Sequence, residues 1–140
     1  MLRTILRLLV LSGLLVPLAV HGELLIVTST RSGNIELSRE QAEKLFLGRS
    51  VTLVDGTPIT LVDLPIGAVR DDFYQKLTSK NPAQIRAYWS RLVFTGRALP
   101  PREADSVADA KQLLAETPNL IGYLDKADIT SGMRVLLRLP

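Results

Sequence analysis

The sequence predicts an α/β fold in which helices pack against a mixed sheet. Three observations carry this. Apolar runs of strand type stand near both ends of the chain, capped amphipathic runs separate them, and residues 23–140 supply 118 residues, enough for one domain around one core. With 5% aromatic residues and no long polar or Pro/Gly-rich tract, nothing suggests a disordered arm or a linker, and no internal repeat is present.

The first 22 residues, "MLRTILRLLVLSGLLVPLAVHG", read as a secretory signal peptide. Arg3 and Arg7 form its basic start, an apolar run follows, and Val20 and Gly22 are the small residues before a cleavage point at Glu23. The run is short for a membrane span and is broken by Pro17. "ELLIVTST" then predicts a buried strand. "NIELSREQAEKLFLG" predicts a helix with Ser38 and Gln41 as a capping box, Ala42, Leu45 and Phe46 on one face, and Gly48 at its end. Two short extended segments are expected around the Asp55-Gly56 turn, with Pro58 keeping the start of the second out of ladder pairing.

"DLPIGAVRDDFYQKL" predicts a turn and a helix with Val69, Phe73 and Leu77 as its buried stripe. Asn81 caps the next helix, Pro82 takes its first position, and Ile85, Tyr88, Trp89, Leu92 and Val93 form its apolar face. Gly96 and Pro100-Pro101 lead into a loop. Asp105 is the expected cap of a further helix that turns Val107, Ala110 and Leu114 inward. "NLIGYLD" and "MRVLLRL" close the chain as strands apolar enough for a covered sheet.

Composition restricts the chemistry. Arg3 and Arg7 leave with the leader, so 15 basic residues face 14 acidic ones and the chain beyond it is nearly neutral, which gives no basis for nucleic-acid binding. There is no Cys, and the only His, His21, also leaves. The remaining chain has no thiolate nucleophile, no imidazole base and no Cys or His metal ligand, so neither an enzyme nor a metal or cofactor site is expected. Asp71 and Asp72, adjacent on a helix, diverge by about 100° and cannot share one site.

"LSREQAEKLFLGR", "WSRLVFTGRALPPRE" and "TPNLIGYLD", in that order, resemble the periplasmic phosphate-binding protein family, whose fold is the type 2 periplasmic-binding fold. The likeness extends over residues 24–138 and is greatest to the family's short single-lobe members. It implies a secreted, periplasmic lobe that binds phosphate or a similar oxyanion for ABC-type uptake or sensing, with a membrane transporter or sensor as partner. Full-length members of the family close two lobes over the anion, held partly by an Arg and by a Ser-Gly-Thr turn at a helix N-terminus. Here Gly67, Ala68 and Val69 stand in the place of that turn, and Asp63 in the place of the Arg.

The resemblance thus assigns anion binding to the backbone donors of Gly67, Ala68 and Val69, with Arg70 supplying a cationic fork. Arg70 is an unusual choice for a first helical turn, whose dipole favours acids. Pairing with Asp63 is the competing explanation for it. Ser29 and Thr30, followed by Arg31, form a second candidate group at a strand end, where loop polarity explains them equally well. Arg97 at a helix end is explained by the dipole alone. Two functions stay open: an oxyanion-binding module, or a ligand-free lobe that docks on a transporter, receptor or sensor kinase. One lobe leaves an anion half exposed, so a homodimer or a docked membrane protein would have to supply the second wall.

Overall fold

The computed structural model describes residues 22–140, so the predicted leader lies outside the described residues. Along the chain run β1 (Leu24–Ser29), α1 (Arg39–Phe46), β2 (Thr60–Asp63), α2 (Ala68–Thr78), α3 (Pro82–Phe94), β3 (Arg102–Glu103), α4 (Val107–Glu116), β4 (Leu120–Asp125) and β5 (Met133–Leu139). The strands form one mixed sheet in the order β3-β2-β4-β1-β5. β2 runs parallel to β3 and β4, whereas β1 is antiparallel to β4 and to β5. The bulge opposite Ile26 and Val27 is a local slip in the β1–β5 ladder.

Layering follows from alternation along β4. Tyr123 meets Phe46 of α1 and Phe73 of α2, stacking on Phe73 with centroids 3.6 Å apart and planes 2° apart. Gly122, its neighbour, points to the other face, where an added Cβ would lie 2.7 Å from Val62 Cγ1 and 3.0 Å from Leu114 Cδ1 of α4. Helices α1 and α2 therefore cover one face and α4 the other. α3 joins the first group: Tyr88 Oη donates to Leu47 O at 2.6 Å, and Trp89 closes on Gly48, whose φ of +68° suits glycine.

The local signals hold where they concern caps. Ser38–Gln41 and Asn81–Gln84 both form reciprocal capping boxes, and Pro82 occupies the first turn of α3. Several expectations are corrected. The cap of α4 is Ser106, which accepts from Asp109 N at 3.0 Å; the Asp105 N–H instead donates to the Asp109 carboxylate. Val69, Val93 and Val107 are exposed rather than inward, because α2, α3 and α4 bury narrower stripes centred on Phe73 and Leu77, Ile85 and Trp89, and Ala110 and Leu114. The first segment beside Asp55-Gly56 makes only an isolated bridge, Thr52 with Pro58, and the ladder starts at Thr60. Arg102–Glu103, expected within a loop, is a two-residue parallel strand against β2.

Candidate functional site

A row of polar side chains crosses the sheet at the C-terminal ends of its parallel strands. Asp63 of β2 is in register with Glu103 of β3, and continuing the β2–β4 pairing of Leu61 with Ile121 by two residues places Asp63 beside Tyr123. Paired residues share a face, so Tyr123, Asp63 and Glu103 all point toward α2. Helix α2 adds Arg70 from its first turn and Tyr74 one turn later.

Asp63 is the centre of this row and is only 2% exposed. Its carboxylate accepts from the Tyr74 hydroxyl at 2.7 Å and from the Tyr123 hydroxyl, and Tyr123 Oη in turn accepts from the Leu64 N–H at 3.3 Å. Burial pushes the Asp63 carboxyl above the usual carboxylate range, against the opposing pull of the Tyr123 hydroxyl, the Arg70 charge and the Tyr74 hydroxyl. Burial and the Asp63 charge raise both phenols well above their ordinary value, so they remain hydrogen-bond donors.

Arg70 stands between two carboxylates. Its Nε lies 3.5 Å from Asp63 Oδ2, and its Nη1 lies 3.6 Å from Glu103 Oε2 and donates to Leu64 O at 3.3 Å. Both ion-pair distances exceed the 2.7–2.9 Å or so of a charge-assisted hydrogen bond, so the guanidinium is shared and not clamped. Its side chain is 19% exposed, and a cavity of about 70 Å³ opens beside it toward Tyr74, Pro82 and Arg86.

The remaining residues of the turn are backbone donors. Gly67 is the N-cap of α2 and no side chain caps the turn, while the Asp71 N–H is already bonded to Gly67 O at 3.0 Å. The amides of Ala68, Val69 and Arg70 precede the first intrahelical bond and carry the positive end of the helix dipole. Gly67 has open space where a Cβ would be, apart from Pro65 O at 3.8 Å.

The fold separates the two candidate groups that the sequence offered. β1 runs against β2, so Ser29 and Thr30, at the end of β1, lie near the start of β2, whereas Gly67–Arg70 follow its end. Ser29 is buried, donates to Ala115 O at 2.9 Å and accepts from the Arg31 N–H at 3.0 Å. Thr30 is exposed, and its N–H donates to Gly132 O. The Asp63 pairing weighed for Arg70 is present, with Glu103 as a second partner that sequence reasoning missed. Tyr74 and Tyr123 were missed as site residues too. The available signal was an Asp in the otherwise apolar segment "LVDL", which demands buried donors nearby.

No family model and no curated protein matches the chain. Solved structures do match its fold. An ABC-type phosphate transport receptor from Vibrio cholerae superposes with a TM-score of 0.61 at 13% identity, over 82% of this chain and 46% of that one. A structure from Clostridium perfringens, described as a phosphate ABC transporter substrate-binding protein with bound phosphate, gives 0.62 at 15% identity, over 82% and 45%. The chain therefore has the fold of a single lobe of a periplasmic-binding protein and spans less than half the length of these receptors.

Proposed function

We propose that this protein is a periplasmic solute-binding lobe that takes up phosphate or a similar small oxyanion at the first turn of α2, for ABC-type uptake or sensing. The observation that carries the reading is the turn itself. Gly67 opens an uncapped helix N-terminus at the C-terminal end of the parallel strands, with the Arg70 guanidinium on the same turn and a cavity beside it. Amides of Ala68 and Val69 would donate to the anion, and Arg70 would balance its charge. These groups bind and orient; binding, not catalysis, is the activity they suit. The named ligands of the structural neighbours support the choice of anion.

One lobe leaves the anion open to water on one side, and in this reading a transporter or sensor in the membrane, or a second copy, covers that side. Export through a leader cleaved before Glu23 completes this reading. Calorimetric titration with inorganic phosphate at low ionic strength tests it: one-site binding that disappears in Arg70→Ala is expected, and absence of heat, with an unshifted melting temperature at millimolar phosphate, would refute it.

One observation favours a second reading, a ligand-free docking lobe. At the N-terminal end of β2 an apolar cleft of about 410 Å³ is lined by Ile59, Leu61, Pro100 and Leu113, with Val51 and Leu99 well exposed at its margin. Such a patch suits a protein surface better than an oxyanion.

A further inference from the structure

We infer that Glu103 is the displaceable counter-ion of Arg70, so that an oxyanion enters the α2 turn by exchanging with this side chain. The inference rests on the oxyanion reading of the turn and names the residue that governs its affinity.

The two acids beside Arg70 differ in what holds them. Asp63 is buried between two tyrosine donors, and moving its carboxylate would strand both hydroxyls. Glu103 has a side chain that is 50% exposed, stands on a two-residue edge strand, and makes its only side-chain ion pair or hydrogen bond among the described residues with Arg70. Its backbone is fixed independently, because the next residue, Ala104, donates its N–H to Asp63 O at 2.9 Å. Glu103 can thus rotate into water without disturbing the sheet, at the cost of one loose ion pair of 3.6 Å.

Charge makes the exchange necessary. With Glu103 in place, one guanidinium faces two carboxylates, and the cluster carries a net negative charge that opposes an anion. Once Glu103 turns away, Arg70 and Asp63 balance each other, Nη1 keeps only its bond to Leu64 O, and Asp71 and Arg86 in the lining of the adjacent cavity are of opposite sign, so the helix dipole, positive toward the turn, favours the anion. The external anion then takes the position that Glu103 left.

The test is titration of inorganic phosphate into the wild type, Glu103→Gln and Arg70→Ala, at low salt and at about 0.5 M salt, where exposed charges are strongly screened. Removing a half-exposed charge about 4 Å from the cation should tighten binding about five-fold at low salt. That gain should shrink at high salt, which a purely structural role for Glu103 would not produce. Binding by Glu103→Gln with none detectable in the wild type would mean that Glu103 blocks the turn instead of exchanging with an anion, and would overturn the inference. If the wild type binds phosphate and Glu103→Gln binds with equal or lower affinity, the counter-ion role is overturned and the oxyanion reading stands. If neither binds while both melt as folded proteins, both are overturned.

Discussion

Replacing Tyr123 with Phe isolates the hydrogen bond that holds the buried carboxylate of Asp63. The ring itself is preserved, so its stacking on Phe73 and its edge contact with Phe46 survive and no cavity of consequence opens. What disappears is the hydroxyl that donates to Asp63 and accepts from the Leu64 N–H at 3.3 Å. A hydrogen bond to a charged group contributes about 1.5–3 kcal/mol, and the long Leu64 contact adds little. The expected destabilisation is about 2 kcal/mol, equivalent to roughly 6–10 °C in melting temperature for a domain of this size. Urea unfolding at neutral pH measures it, with Asp63→Asn and the double variant completing a cycle. With a neutral side chain at position 63 the Tyr123→Phe cost should fall to about 1 kcal/mol. A loss below about 0.5 kcal/mol in the wild-type background, or an equal loss in both backgrounds, would refute the assignment of Tyr123 as a donor to a buried charge.

Two further perturbations test the same frame. Because burial raises the Asp63 carboxyl above its ordinary value, the native state holds that proton more tightly than the unfolded chain does. Its stabilising contribution is complete below the ordinary carboxylate pKa and is lost as pH rises through the raised value, so acidifying across that window should favour the wild type relative to Asp63→Asn; parallel stability curves would contradict this. Gly122→Ala forces a methyl against Val62 and Leu114, at 2.7 and 3.0 Å, and should cost about 1–3 kcal/mol in urea unfolding; a neutral or stabilising effect would mean that α4 is not seated closely on that face.

The candidate turn was legible in the sequence because its signals are local. Pro65, Gly67 and a cation on the first turn of an amphipathic run lie within a few residues of one another, and the fold does place them at a helix N-terminus. The identity of Arg70's partners was only half legible. Asp63 is seven residues away along the chain, but Glu103 arrives by the pairing of a two-residue strand that has no propensity signature of its own and exists only because β2 lies beside it. Tyr123 reaches the row from a third strand, sixty residues from Asp63.

By itself the sequence determined the α/β class, the caps of α1 and α3, and the strand character of both terminal apolar runs, since capping hydroxyls, a first-turn proline and hydrophobic periodicity act within a turn or two of the chain. Only the tertiary structure decided that β1 runs against β4, which sends Ser29 and Thr30 to the opposite end of the sheet from Arg70. It likewise decided which apolar residues of each helix are buried and which acids share the arginine. Strand direction, register and helix seating are set by partners distant in sequence, and a period of 2 or 3.6 residues specifies which residues share a face without specifying what that face will meet.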